Sequence, residues 1–229
     1  MRISGHGSDS VAILVFASQT GGELISKWTK GKELLGALTE RTLTQARLTN
    51  LPFYHYHQEL QKGHNFGQRL SNAFQNLYDL GYDRIIAIGN DCPQITSAHI
   101  LEAQACLAEG DDVIAPATDG GFNLIGIHKN HFDRDTFEQL AWQTGSLFDQ
   151  TIEYFRQFDT RVSTLSTFGD IDSLADIKRI LPKIKCTLRS LYVLLIKVLH
   201  SVEHRYHYQA TFSVATYQAL PFNKGSPLS

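Results

Sequence analysis

Two unbroken apolar runs, Val11-Ala-Ile-Leu-Val-Phe-Ala17 and Arg84-Ile-Ile-Ala-Ile-Gly89, constrain this chain more than any other feature. A strand that is apolar on alternate residues can leave one face in water. A strand apolar throughout, and rich in β-branched residues, has to be covered on both faces. The segments between the runs carry the covering. Leu34, Leu35, Leu38, Leu43 and Ala46 recur at near-helical spacing over 33–48, and Phe66, Leu70, Ala73, Phe74, Leu77 and Leu80 share one helical face over 66–80, stopped by Gly81.

The alternation continues along the chain. Pro52 to Tyr56 reads as a strand, and Ser97 is placed to cap a helix lasting to about Glu109. Asp112–Pro116 and Phe122–Ile127 read as strands joined by Thr118-Asp-Gly-Gly121. Ser146 with Asp149 resembles a capping box for a helix to about Phe158, and Arg161 to Leu165 reads as a short strand. Ser173 with Asp176 repeats the capping pattern for a helix ending near Pro182. Strands alternating with helices predict an α/β fold, a mostly parallel sheet with helices on both faces. We divide the chain into an α/β domain over 1–182 and a basic C-terminal helix and tail over 183–229.

In such sheets ligands gather at the carboxyl ends of the strands, so the residues just after each strand matter most. Ser18-Gln-Thr-Gly-Gly22 follows the first strand, with Lys27, Lys30 and Lys32 beyond it. Backbone N–H groups of a Gly-Gly loop can cradle phosphate, and a solvated loop uses the same residues. The segment matches neither a P-loop nor a Gly-x-Gly-x-x-Gly turn, which argues against a P-loop enzyme or a dehydrogenase. Asp91 follows the central strand, between Gly89 and Pro93; it suits ligation of a divalent cation whose other ligands are phosphates, or the shaping of a turn. Asp119-Gly-Gly121 occupies a sharp connection, as a ligand-approaching loop or an ordinary turn. Asp170 and Asp172 precede a capped helix, as further ligands or as surface carboxylates favoured by the helix dipole.

Three segments in fixed order resemble a known group. Ile86-Ala-Ile-Gly-Asn-Asp91-Cys-Pro93, Ala115-Pro-Ala-Thr-Asp119-Gly-Gly-Phe122 and Asp170-Ile-Asp172-Ser-Leu-Ala-Asp176 recur in bacterial glycosyltransferase-A-like (GT-A-like) proteins of the nucleotide-diphospho-sugar transferase type. Phe66-Gly-Gln-Arg-Leu70 and Trp142-Gln-Thr also resemble that pattern, and the likeness runs over about residues 11–181. It implies a GT-A-type nucleotide-binding fold related to molybdenum-cofactor and phospholactate guanylyltransferases. It further implies that Asp91, with Asp172 and Asp170, holds Mg²⁺ or Mn²⁺. Ala17, Ser18, Gly21, Gly22, Lys27 and Asn90 are then expected to meet nucleotide and phosphate, with Gly120, Gly121 and Trp142 bordering the sugar or acceptor. Asp119 is placed to orient or deprotonate an acceptor hydroxyl. The group's Pro-x-x-Gly-x-x-Lys-Thr-Arg-Leu stretch after the first strand is absent here; Ser18 to Leu35 offers only scattered lysines.

The expected activity is metal-dependent transfer of a glycosyl group from a nucleotide-sugar to an acceptor that the sequence does not specify. The rivals are nucleotidyl transfer from an NTP to a phosphorylated acceptor, and a non-catalytic nucleotide-binding or scaffolding descendant whose phosphate loop has decayed. Charge bears on partners. Residues 1–177 carry 13 Lys/Arg and 22 Asp/Glu, whereas 178–229 carry 8 and 1. The whole molecule at −2 has no nucleic-acid footprint. A basic amphipathic helix over 183–205 is suited to an anionic membrane surface; a docked terminal helix with its lysines in water is the alternative. Three widely spaced cysteines and no signal-peptide pattern point to the cytoplasm, with the basic tail able to reach the inner face of the membrane.

Overall fold

The computed structural model describes residues 10–17, 31–185 and 188–201. Six strands form one sheet in the order β2-β1-β3-β5-β4-β6, namely β1 (Val11–Phe16), β2 (Phe53–Tyr56), β3 (Arg84–Ile88), β4 (Asp112–Pro116), β5 (Phe122–His128) and β6 (Val162–Thr164). Five run the same way. The exception is β5, which lies antiparallel between β3 and β4. The chain steps from β1 outward to β2 through α1 (Gly31–Leu48), then crosses back to β3 on the other side of β1 through α2 (Phe66–Asp79). The order therefore reverses between β1 and β3, which opens a crevice at their carboxyl ends.

Both faces of the sheet are buried, as the continuous apolar strands require. On one face Ile13 and Val15 pack with Leu43 and Ala46 of α1 and with Ile100, Ala103 and Leu107 of α3 (Ser97–Ala108). On the other, Ala12, Leu14 and Phe16 meet Leu70, Phe74 and Leu77 of α2, Phe137 of α4 (Arg134–Glu138), and Tyr154 and Phe155 of α5 (Leu147–Arg156). Ile13, Leu14, Ile85 and Ile86 are wholly buried, each contributing about 1.5–3 kcal/mol. A third cluster joins Leu34, Leu35 and Leu38 of α1 to Ile177, Ile180 and Ile184 of α6 (Leu174–Ile184) and to Leu191, Leu195 and Val198 of a further helix, α7, over 189–201. The apolar face of α7 is thus turned onto α1 and α6. Among the described residues no helix is long and apolar enough to cross a membrane.

Local details differ from the sequence expectation for physical reasons. Thr96 rather than Ser97 is the N-cap of α3, and its N–H donates to His99 Nδ1 at 3.2 Å. Ser146 stands at the N-cap of α5, but its hydroxyl is engaged by Thr144 Oγ1 at 3.0 Å and makes no cap. The Ser173–Asp176 capping box forms as expected. Its helix runs through Pro182 to Ile184, because Ile180, Leu181 and Ile184 are anchored in the third cluster. The five-residue α4 was too short to leave a periodicity.

Candidate active site

The loops after β3, β4 and β6 converge at one end of the sheet. Gly89-Asn90-Asp91 continues β3, and Asp91 folds its carboxylate back over Gly89; a Cβ on that glycine would stand 2.8 Å from Asp91 Oδ1. Asp119 sits at the tip of the β4–β5 connection. Gly120 there has φ +93°, and a Cβ on it would lie 2.1 Å from the carbonyl oxygen of Gly145, so no other residue fits. Gly121 N–H closes the turn onto Asp119 Oδ1 at 3.0 Å. After β6, Ala117 and Phe168 form a parallel bridge, which carries the chain past the end of β4 and into Asp170-Ile171-Asp172. Ile171 N–H donates to the carbonyl of Asp91 at 3.1 Å, tying this loop to the first.

One carboxylate oxygen each of Asp119, Asp170 and Asp172 lie within 4.8 Å of one another. Asp91 joins them electrostatically. Burial, then Asp172 and Asp119, push its carboxyl up to about 6. Burial and then the charges of Asp91, Asp119 and Asp172 push Asp170 up to about 9. Asp172 is raised by burial, by Asp176 and by Asp119. Burial is the larger cause in each case and repulsion from the neighbouring acids adds to it; the same oxygens are a hard-donor set suited to Mg²⁺ or Mn²⁺. A second observation agrees with that fit. Asn123, buried at the start of β5, donates through Nδ2 to Asp170 Oδ1, while its own Oδ1 is buried with no partner. Asp176 holds the other acid in place, accepting from Asp172 N–H at 3.3 Å and from Ser173 Oγ at 2.7 Å. Sequence reasoning missed Asn123; its one signal was a polar residue inside an otherwise apolar strand.

The other expected residues fall around this centre. Ala17, at the end of β1, lines a groove of about 510 Å³ with Lys32, Leu35, Thr39, His55 and His57. Asn90 is buried and donates through Nδ2 to Thr39 Oγ1 at 2.8 Å, so the Asp91 loop reaches that groove. His55 Nε2 is buried without a partner, and burial lowers the imidazole's pKa, keeping it neutral. Ser18, Gly21, Gly22 and Lys27 lie outside the described residues. Trp142 packs at 5.1–5.8 Å between ring centroids on Phe66, Phe122 and Phe137, with its indole N–H donating to Phe137 O at 3.1 Å. Of these, Phe122 is the neighbour of Gly121 in the Asp119 turn. Cys92 is excluded as a nucleophile, since burial and then Asp170 push its thiol to about 12.

Residues 37–144 match a protein family described as an uncharacterized protein conserved in bacteria (DUF2064). That stretch contains Asp91 and Asp119 and ends before Asp170. A protein from Desulfovibrio desulfuricans G20 described as a nucleotide-diphospho-sugar transferase superposes with a TM-score of 0.72 at 23% identity, over 86% of this chain and 98% of its own. The fold is GT-A-like. The 4-diphosphocytidyl-2C-methyl-D-erythritol synthase of Anaerococcus prevotii DSM 20548 shares the fold more distantly, with a TM-score of 0.50 at 11% identity over 77% of this chain and 99% of its own. No curated protein sequence matches. These likenesses establish the fold of this chain.

Proposed function

We propose that this GT-A-like protein transfers a glycosyl group from a nucleotide-diphospho-sugar, and that a divalent cation held by Asp91, Asp170 and Asp172 is required. The convergence of Asp91, Asp119, Asp170 and Asp172 at the strand ends carries the reading. Burial and neighbouring charge raise Asp91, Asp170 and Asp172, which weakens the fold wherever they ionise, and a bound cation would offset that cost. A bound cation supplies charge neutralisation for the departing nucleoside diphosphate.

The chain's own residues set the rest. The groove along Ala17, Thr39 and His55 is the seat for the nucleoside, next to Asn90 and the Asp91 loop. Its unpartnered His55 Nε2 offers a neutral hydrogen-bonding atom to the base or ribose. Lys32 lines the same groove, with Glu40, and is the cation we assign to phosphate. Asp119 is exposed at the tip of a turn fixed by Gly120 and Gly121, the position for orienting an acceptor hydroxyl and accepting its proton.

Thermal unfolding tests this with UDP-, GDP-, CDP- and dTDP-sugars and with NTPs, each with and without Mn²⁺. A donor at about 100 times its dissociation constant adds about 2.7 kcal/mol of stability. The expected result is a Mn²⁺-dependent shift with one nucleotide-sugar, lost in Asp91→Ala. A shift with an NTP but with no nucleotide-sugar would replace glycosyl transfer by nucleotidyl transfer. No shift with any nucleotide would remove both.

A further inference from the structure

A second cavity, lined by none of the acidic-centre residues, lies between α1 and α7. It measures about 560 Å³, and its floor is aliphatic: Ala37, Leu188, Leu191 and Leu194. Its rim is cationic, formed by Arg41, Arg189 and Lys197, with Glu33 as the one acid lining it. Val193, also on the groove, is 44% exposed although α7 has its apolar face already buried on α1 and α6. The charge around it is lopsided. From Lys178 to Ser201 the chain has six Lys/Arg and no Asp/Glu, and all six are exposed, on a molecule whose remainder is acidic.

We propose that this groove is where the protein rests on an anionic phospholipid surface, headgroup phosphates at Arg189 and Lys197 and the outer acyl region against Val193 and the leucine floor. An aliphatic floor inside a cationic rim matches an amphiphilic anion. Nucleic acid would use the cations alone and prefers aromatic stacking platforms, which the floor lacks. The surface also has a route to the acidic site. Arg41 lines the groove, and its guanidinium donates from Nε to Pro93 O at 2.6 Å and from Nη2 to Ile95 O at 3.3 Å. Those carbonyls belong to the segment that begins at Asp91, so a membrane contact here sets the acidic site close to the lipid. The inference goes beyond the proposed transferase activity and stands without it.

The test is co-sedimentation of the full chain with phosphatidylcholine vesicles, with and without phosphatidylglycerol, at low salt. Binding only to the anionic vesicles is expected. Arg189→Gln with Lys197→Gln should lower the partition coefficient about 30-fold, from roughly a factor of five for each cation near the surface. Val193→Asp should weaken it too. Arg134→Gln with Arg156→Gln, which removes two cations across the sheet, should not. All these side chains are exposed, and circular dichroism checks that each variant is folded. The proposal fails if the folded protein ignores anionic vesicles, if the α4–α5 variant weakens binding as much as the α7 variant, or if Val193→Asp has no effect. It also fails if duplex DNA binds as tightly as the vesicles and is lost with the same two cations; inorganic phosphate competing fully with the vesicles would reduce the site to an anion pocket and overturn the lipid reading.

Discussion

Asp91→Asn separates the cost of the acidic centre from its use. In the metal-free fold the Asp91 carboxyl rises from 3.8 to about 6, chiefly by burial and then by the charges of Asp172 and Asp119. The unfolded chain ionises this group near pH 4, whereas the folded protein retains the proton until about pH 6. Folding therefore takes up a proton in that window, and stability falls as pH rises through it. Above pH 6 the full penalty is present, up to about 3 kcal/mol at 1.36 kcal/mol per pH unit. Asparagine keeps the side-chain oxygen and the volume but cannot ionise, so the variant escapes the penalty. It also removes one of the charges that raise Asp170, which acts in the same direction. Urea unfolding in EDTA should find Asp91→Asn more stable than the native chain at pH 8, by up to about 3 kcal/mol, with the difference vanishing near pH 4. For a chain of this length that corresponds to a rise in Tm of roughly 6–12 °C. Adding Mn²⁺ should reverse the order, since the variant lacks a ligand. A variant less stable than the native chain in EDTA at pH 8, or a difference that does not depend on pH, would refute the electrostatic argument.

Three other substitutions have defined outcomes. Gly120→Ala meets both a left-handed backbone and the Gly145 carbonyl, so it should cost at least about 1–3 kcal/mol; unchanged thermal unfolding would mean that the Asp119 turn is not rigid. Ser173→Ala removes the cap of α6 and should lower stability by about 1 kcal/mol in urea titration, a loss too small to see if α6 is held by its apolar face alone. His131→Ala strips the imidazole, 2.7 Å away, from the wholly buried Asp112 and leaves His128 N–H at 3.0 Å. It should cost about 1.5–3 kcal/mol near neutral pH, the loss of a hydrogen bond to a charged group, and less in acid, where burial favours the protonated Asp112; equal losses at pH 4 and pH 8 would contradict this.

Much of the fold was legible because burial on both faces writes itself into strand composition. The runs at 11–16 and 84–88 carry no polar alternation, and the helices between them show one apolar face each. The direction of β5 has no such signature, since Phe122 to His128 is apolar either way along the chain. The short Asp119-Gly-Gly121 connection was the available hint, because a parallel crossover needs a dozen or more residues. Caps were read to within a residue where side-chain chemistry is local, as at Ser173. They failed where a neighbour competes, as Thr144 does for Ser146.

The acidic centre was legible in part for a different reason. Asp91, Asp119 and Asp172 each follow a strand, and in a parallel sheet position after a strand is position in space. What the sequence does not display is the contact across 47 residues between Asn123 and Asp170, or the clasp of Asp176 on Asp172. Such contacts arise only once β5 is inserted beside β3 and the chain after β6 has run on, parallel to β4, past its end. They also explain the paradox of the site. Elsewhere propensity, capping and packing agree on one structure, as a stable fold requires. At the strand ends the chain instead spends hydrogen bonds from Asn123, Ser173 and Ile171 to hold mutually repelling carboxylates together. Stability alone would favour their separation, and that is the physical argument behind the cation proposed for the site.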